Sequence, residues 1–297
     1  KLTLMGLFGL NVNSKFKYDR YFQIMPAGPE PALGWSQGFF EAAMGLTPKP
    51  QTIALVGADV EYSAMALEGA RAHAKRLGLK VVYDKTYPEK TVDFSPILRA
   101  IQATSPDLIF AAPYPPDSAG IVRSANEVGL KTRMFGGGLV GPQFAALKSQ
   151  LGPLLNGMVN YEFYVPDLNQ QFPSLQLFLA KYQGRAAKEG VDPLGFYLPP
   201  YAYAMMQVLE QAIARVGSLD QEKLAAYMHK AEFETFVGKV RFAQNGEWAA
   251  SRVLMVQYRG IVGNDIEQFR QPGKATVLYP KEFRTGDVKA PFHENRK

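Results

Sequence analysis

The sequence predicts an α/β fold whose centre is a doubly wound, mainly parallel β-sheet. Between residues 52 and 135, short apolar runs rich in β-branched residues alternate with stretches of helical periodicity. The connections between them are short, and a chain of 297 residues is long enough for about two domains. Right-handed crossovers between consecutive parallel strands place the helices on both faces of such a sheet.

The alternating run begins at Thr52–Gly57 (TIALVG), an apolar and β-branched segment that predicts a buried strand. The helix predicted at Tyr62–Leu77 is followed by a glycine, the residue that suits the left-handed position after a helix. Leu79–Tyr83 predicts the second strand, and a Ser-Pro pair at 95–96 starts the next helix. Two more strands are predicted, at Asp107–Ala112 and Thr132–Phe135.

The segments after these strands are the ones expected to carry function. Ligands of doubly wound sheets bind beyond the carboxyl ends of the strands, where the loops meet at one edge. The corresponding segments are Ala58–Ser63, Pro113–Asp117 and Gly136–Pro142.

The second half of the chain predicts a strand, then helices, then strands. The strand is expected within Asn160–Pro166, and the carboxyl-terminal segment Gln271–Lys297 is expected to be irregular because it is rich in proline, glycine and charge. Helices are expected at about Pro173–Glu189, Pro200–Val216 and Gln221–Lys230, and strands at Phe236–Phe242 and Arg252–Tyr258.

Composition excludes several classes of site. The chain has no cysteine, which excludes disulfide scaffolds, thiolate zinc sites and cysteine nucleophiles. The histidines at 73, 229 and 293 have no second ligand at a metal-binding spacing, and no nucleophile motif is present. The net charge of +6 is scattered, so nucleic acid is not an expected partner. The sequence therefore predicts no catalytic residue, no metal and no cofactor.

One motif leaves an alternative open. Gly136, Gly138 and Gly141 form G-x-G-x-x-G after a predicted strand, and Glu162 follows about twenty residues later. This pattern is typical of NAD-dependent oxidoreductases. However, the motif follows the fourth strand of the run and not the first, and glycine-rich turns are common in doubly wound sheets.

The order of the segments resembles a known family. The matching stretches are YFQIMP at 21–26, IALVGADVEYSAMALEGA at 53–70, TVDFSPILRAIQATSPDLIF at 91–110 and YPPDSAGIVRSANEVGLKT at 114–132. Together they resemble the type I periplasmic substrate-binding proteins of ABC transporters, in the branched-chain amino-acid-binding group. The resemblance covers about residues 4–258.

The resemblance implies a two-lobed fold in which each lobe is a doubly wound, mainly parallel sheet, with three crossover hinges and ligand in the cleft. Lobe 1 is expected at residues 1–21 plus 163–250, and lobe 2 at 22–162 plus 251–297. The implied crossovers are Phe22–Pro26, Tyr161–Val165 and about Ala250–Val253. Leu2–Asn11 resembles the fourth strand of the family's first lobe with its ligand loop, so the earlier part of that lobe is expected in an omitted upstream segment.

The resemblance also implies ligand-binding positions. Tyr62 and Tyr114 fall where amino-acid binders have ligand-contacting tyrosines, and Gly138 falls where they have the carboxylate that pairs with the ligand's ammonium. The loop that binds the ligand carboxylate corresponds to Phe8, Gly9, Leu10 and Asn11, and the aromatic wall corresponds to Phe196 and Tyr197.

Glycine at position 138 favours a ligand without an ammonium group. A buried ammonium without a partner carboxylate costs several kcal/mol, although Asp59 or Asp117 could supply a carboxylate from elsewhere. The expected ligand is a small organic acid, namely an aromatic or hydrophobic carboxylate, captured by hinge closure. The expected partner is a membrane permease, and the protein is expected to be a periplasmic monomer. A branched-chain amino acid as ligand, an oxidoreductase and the effector-binding core of a sugar-sensing repressor are the alternatives.

Overall fold

The structure is a computed structural model that describes residues 2–295. The chain divides into two compact units: unit 1 comprises Lys1–Gly34 and Leu168–Arg252, and unit 2 comprises Trp35–Asp167 and Val253–Lys297. The chain therefore passes between the units three times, the number of crossovers that the resemblance implies. The predicted lobe 2 begins at residue 22, whereas unit 2 begins at Trp35, so the predicted lobe boundaries stay a prediction.

The helices and strands follow one another along the chain with short connections. In order they are β1 (Leu4–Gly6), α1 (Val12–Phe16), β2 (Tyr21–Gln23), α2 (Pro31–Met44), β3 (Thr52–Ala58), α3 (Glu61–Arg76), β4 (Lys80–Tyr87), α4 (Ser95–Ala103), β5 (Leu108–Ala112), α5 (Asp117–Glu127), β6 (Met134–Gly137), α6 (Ala145–Leu151), β7 (Val159–Glu162), α7 (Pro173–Glu189), α8 (Leu198–Val216), α9 (Gln221–Met228), β8 (Glu232–Thr235), β9 (Gly238–Arg241), β10 (Leu254–Tyr258) and β11 (Ala275–Tyr279). Among residues 2–295, no helix is both long and apolar enough to cross a membrane.

The central sheet of unit 2 has the order β11-β10-β7-β6-β5-β3-β4 across its described strands. The pairs from β4 through β7 are parallel, whereas β10 runs antiparallel to both β7 and β11. Strand β5 is buried along its whole length, as expected for a strand covered on both faces. The predicted α/β fold with a mainly parallel central sheet is thereby confirmed.

Unit 1 is described by helices and two small sheets. Strands β1 and β2 pair in parallel with Leu4 opposite Tyr21, and β8 and β9 form an antiparallel hairpin. The strand predicted over Phe236–Phe242 is present as the shorter β9, whereas β8 before it was not predicted. Gly238 has a φ of +94°, a left-handed backbone that turns the chain between the two short strands.

Two elements that lie wholly or mostly in unit 2 were not predicted. Helix α2 carries two glycines within its length, which weaken its helical signal in the sequence. Strand β11 lies in the segment expected to be irregular, and it pairs with β10 through Gln257 opposite Thr276 and Tyr258 opposite Ala275. Both elements complete the α/β architecture of the unit.

Candidate ligand-binding site

The predicted site residues of unit 2 lie together at the carboxyl ends of its parallel strands. Tyr62 is buried at the start of α3, and its hydroxyl donates a hydrogen bond of 3.0 Å to the carbonyl of Gly138, just after β6. Its ring meets that of Tyr114 edge-on at 5.6 Å between centroids. Tyr114 follows β5 and is 45% exposed. The structure thus brings these three residues into one group.

Gly138 is packed closely against β5. Its N–H donates to the carbonyl of Ala111 at 3.0 Å. A Cβ added at Gly138 would lie 3.1 Å from that carbonyl oxygen and from the ring of Phe110, and 3.2 Å from the Cβ of Ala112. These distances are tight, so a glycine allows close strand packing at this position. It also leaves the position without a carboxylate.

Further aromatic side chains adjoin this group. The ring of Trp35 on α2 lies 6.0 Å from Tyr62, 5.1 Å from Tyr161 and 5.6 Å from Phe163, in each case edge-on. Edge-to-face contacts of this kind stabilise the orientation of the rings. Sequence reasoning missed Trp35 because α2 was not predicted; the available signal was a tryptophan, one of two in the chain.

The predicted loop of unit 1 follows β1. The N–H of Val12 donates to the carbonyl of Gly9 at 2.8 Å, which closes a turn before α1. Leu10 has a φ of +47°, a left-handed backbone that is uncommon for leucine, and Asn11 precedes α1 without capping it through its side chain. The loop therefore holds a strained conformation beside the strand end.

An aromatic contact joins this loop to α8. The ring of Phe8 meets that of Tyr197 edge-on at 6.0 Å, and Phe8 is 39% exposed. Phe196 and Tyr197 are both buried immediately before α8. In unit 1 the structure thus brings two of the predicted residues, Phe8 and Tyr197, into ring contact.

Two polar residues of β2 approach the same loop. A Cβ added at Gly9 would overlap the Oε1 atom of Gln23 and would lie 2.6 Å from the hydroxyl of Tyr21. Gln23 is fully buried, and its side-chain oxygen and nitrogen have no hydrogen-bond partner among residues 2–295. Sequence reasoning missed Gln23; the signal was one amide within the apolar run Phe22–Pro26.

The dinucleotide-like glycines serve protein packing. A Cβ at Gly136 would overlap the carbonyl of Val159, and one at Gly141 would overlap the side chain of Leu147. Helix α6, which follows the motif, has seven residues. Glu162, the expected ribose partner, is buried and accepts from Lys148 Nζ at 2.5 Å and from a tyrosine hydroxyl at 2.6 Å. The positions that would hold a dinucleotide are therefore engaged within the protein.

Two aspartates, Asp59 and Asp117, could supply the carboxylate that position 138 lacks, and they differ in their surroundings. Asp59 is exposed after β3, whereas Asp117 is buried at the start of α5, where burial raises the pKa of its carboxyl group. Within residues 2–295, no cluster of histidine, aspartate and glutamate is arranged to hold a metal ion.

Comparisons with known proteins identify a matching family and several relatives. The family model described as "Periplasmic binding protein" matches residues 15–261. A Leu/Ile/Val-binding protein homolog of Brucella abortus is 23% identical over 257 residues, which cover 84% of this chain. That match spans 60% of the relative's length.

Solved structures share the fold. A leucine-, isoleucine-, valine-, threonine- and alanine-binding protein from Brucella ovis superposes with a TM-score of 0.71 at 18% identity, covering 96% of this chain and 71% of the other. A solute-binding protein of an ABC transporter from R. palustris in complex with benzoate has a TM-score of 0.67 at 16% identity, covering 90% of this chain and 67% of the other. At these identities the likeness establishes the fold.

Proposed function

Because the chain belongs to the periplasmic binding protein family, we propose that it is the solute-binding component of an ABC importer. In this role it captures a small organic acid non-covalently, without catalytic turnover, and presents it to a membrane permease. The family implies an exported, periplasmic protein. The proposed ligand is an aromatic or hydrophobic carboxylate.

The observation that carries this choice of ligand is Gly138. The family resemblance implies that amino-acid binders have a carboxylate at the matching position, and a glycine there offers no charge to an ammonium group. The hydrogen bond from Tyr62 fixes the Gly138 carbonyl at 3.0 Å, so the position is held rigidly. A ligand ammonium at this position would find no carboxylate of residue 138 to pair with, and an organic acid avoids that cost.

The aromatic groups support a flat ligand. Tyr62 and Tyr114 form one pair in unit 2, and Phe8 and Tyr197 form another in unit 1. We propose that both pairs contact the ligand, together with Gly9, Leu10, Asn11 and Phe196. The exposed rings of Phe8 and Tyr114 are the parts of these pairs that a ligand would reach first.

A branched-chain amino acid is the second candidate. It is favoured by the relatives, one of which is named a Leu/Ile/Val-binding protein homolog. The two candidates differ in one chemical group, the ammonium, and they are therefore separable by binding alone.

The test is calorimetry of the full chain with benzoate, 4-hydroxycinnamate, leucine and NAD, preceded by mass spectrometry of any small molecule that the purified protein carries. We expect saturable binding of at least one aromatic acid and none of leucine or NAD. Tight leucine binding without response to any aromatic acid would overturn the proposed ligand class. Saturable NAD binding that is lost in Gly138→Asp would instead favour an oxidoreductase.

A further inference from the structure

We propose that the side-chain amide of Gln23 is a specificity-determining group that binds a hydroxyl of the ligand. This inference rests on the proposed function, because it names a chemical feature of the organic acid that is captured. The ligand class that follows is a hydroxylated aromatic acid.

The first argument is that the amide of Gln23 is buried without a partner. Gln23 ends β2 and is 0% exposed. Its backbone N–H donates to the carbonyl of Gly246 at 2.9 Å, but neither Oε1 nor Nε2 has a partner among residues 2–295. Buried polar groups are nearly always paired, so an amide with both ends unpaired requires an explanation.

The second argument is that glutamine is costly for stability at this position. Its neighbours along the chain, Phe22, Ile24 and Met25, are all fully buried and apolar. A methionine of similar length would fill the same space without leaving two polar atoms unsatisfied. A residue that lowers stability where an apolar one fits is characteristic of a functional position.

The third argument is the location of the amide beside the predicted ligand loop. Oε1 of Gln23 lies against Gly9, and any side chain at Gly9 would displace it. The hydroxyl of Tyr21 approaches the same glycine. Phe8, the residue before this glycine, is 39% exposed, whereas the amide itself is buried. Leu10, the residue after the glycine, has a left-handed backbone, a strained conformation of the kind that clusters at ligand sites.

Nearby polar groups do not satisfy the amide. The carboxyl group of Glu247 is also buried in unit 1, but its Oε1 accepts from Nδ2 of Asn13 at 3.1 Å. Nδ2 of Asn13 also donates to the backbone carbonyl of Tyr21 at 3.2 Å. This small network lies next to β2 and leaves Gln23 available for ligand.

The chemistry of the amide selects a hydroxyl group. An amide presents one acceptor and one donor end, whereas a carboxylate only accepts and would leave Oε1 unpaired. A phenolic hydroxyl both donates and accepts, so it can satisfy both ends. The argument is the same if the oxygen and nitrogen are exchanged, because both positions lack a partner.

The experiment combines a change in the protein with a change in the ligand. Dissociation constants of wild type and Gln23→Met are measured by calorimetry for benzoate, 3-hydroxybenzoate and 4-hydroxybenzoate. We expect wild type to prefer one hydroxybenzoate over benzoate by roughly tenfold or more, as for a buried hydroxyl that gains its partners. In Gln23→Met this preference falls to about one, while the melting temperature is unchanged or rises by about 2 °C.

The matched control is Gln257→Met on β10. Gln257 is equally buried, but its Nε2 donates to the carbonyls of Gly157 at 3.0 Å and Lys289 at 2.8 Å. Its replacement leaves these carbonyls unpaired, so the melting temperature is expected to fall by roughly 5 °C while the ligand preference stays that of wild type.

The outcomes distinguish failure of the proposed role of Gln23 from failure of the proposed function. Equal preference ratios in wild type and Gln23→Met, with binding intact, overturn the role of Gln23 and leave the proposed function standing. A lower melting temperature of Gln23→Met with an unchanged ratio assigns the amide a structural role and also overturns the inference. If wild type binds leucine and no aromatic acid, the proposed ligand class fails, and this inference fails with it.

Discussion

The buried carboxyl group of Glu247 should make the stability of the protein depend on pH. Glu247 is fully buried after the turn at Asn245 and Gly246, and one of its oxygens has no partner within residues 2–295. Burial raises the pKa of this carboxyl group from 4.5 to about 7, and the hydrogen bond from Asn13 opposes the rise only in part. The folded protein therefore holds a proton that the unfolded chain releases near pH 4.5.

The sign and size of the effect follow from this difference. Because the folded state binds the proton more tightly, the free energy of unfolding falls as pH rises from about 4.5 to about 7. At about 1.4 kcal/mol per pH unit, the full loss is about 3 kcal/mol. Above about pH 7 the loss from this group is complete, and below pH 4.5 it is absent.

The assay is urea unfolding of wild type and Glu247→Gln at pH 5 and pH 8. Glutamine keeps an oxygen for Asn13 but does not ionise. We expect the variant to gain about 2 to 3 kcal/mol relative to wild type between the two pH values. Glu30→Gln, at an exposed position of the same unit, is the control and should show no such gain. Parallel stability curves for wild type and Glu247→Gln would refute the reasoning.

Two further predictions concern unit 2. Tyr114→Ala should weaken binding of an aromatic acid by about 1 to 3 kcal/mol, measured by calorimetry, because the ligand loses a ring contact and a hydroxyl. Tyr83→Ala on β4 is the control. An unchanged dissociation constant of Tyr114→Ala, with the fold intact, counts against the site. Lys148→Met should lower the free energy of unfolding by about 3 to 5 kcal/mol, because the buried carboxylate of Glu162 loses its cationic partner and keeps the tyrosine hydroxyl. Adding Glu162→Leu should recover most of that loss in urea unfolding, and a double variant as unstable as the single one would contradict this account.

The sequence alone determined the alternation of strands and helices in unit 2. The apolar run at 52–57 and the glycine at 78 are local signals, and they predict a strand and a helix end without reference to distant residues. Because parallel strands present their carboxyl ends at one edge, the same reasoning brought Tyr62, Tyr114 and Gly138 together before the structure was known. Their mutual contacts agree with that reasoning, and their role in binding stays a prediction.

Where local sequence signals were weak, tertiary structure decided which secondary structure formed. Helix α2 contains Gly38, where an added Cβ would lie 2.7 Å from the side chain of Met255 and 2.9 Å from that of Tyr279. The close approach of β10 and β11 explains the glycine, and no periodicity in the helix itself reveals it. Strand β11 likewise exists because β10 supplies its hydrogen-bond partners from a separate part of the chain.

Tertiary structure also decided which polar residues are unpaired. Glutamine at position 23 and glutamate at position 247 are ordinary in a sequence, because either can lie at a surface. Only folding buries both, and it gives the Glu247 carboxyl a partner 234 residues away while the Gln23 amide receives none from residues 2–295. The sequence therefore determined the elements and the shared edge of their strands, whereas long-range packing decided which buried groups are left to bind a ligand or a proton.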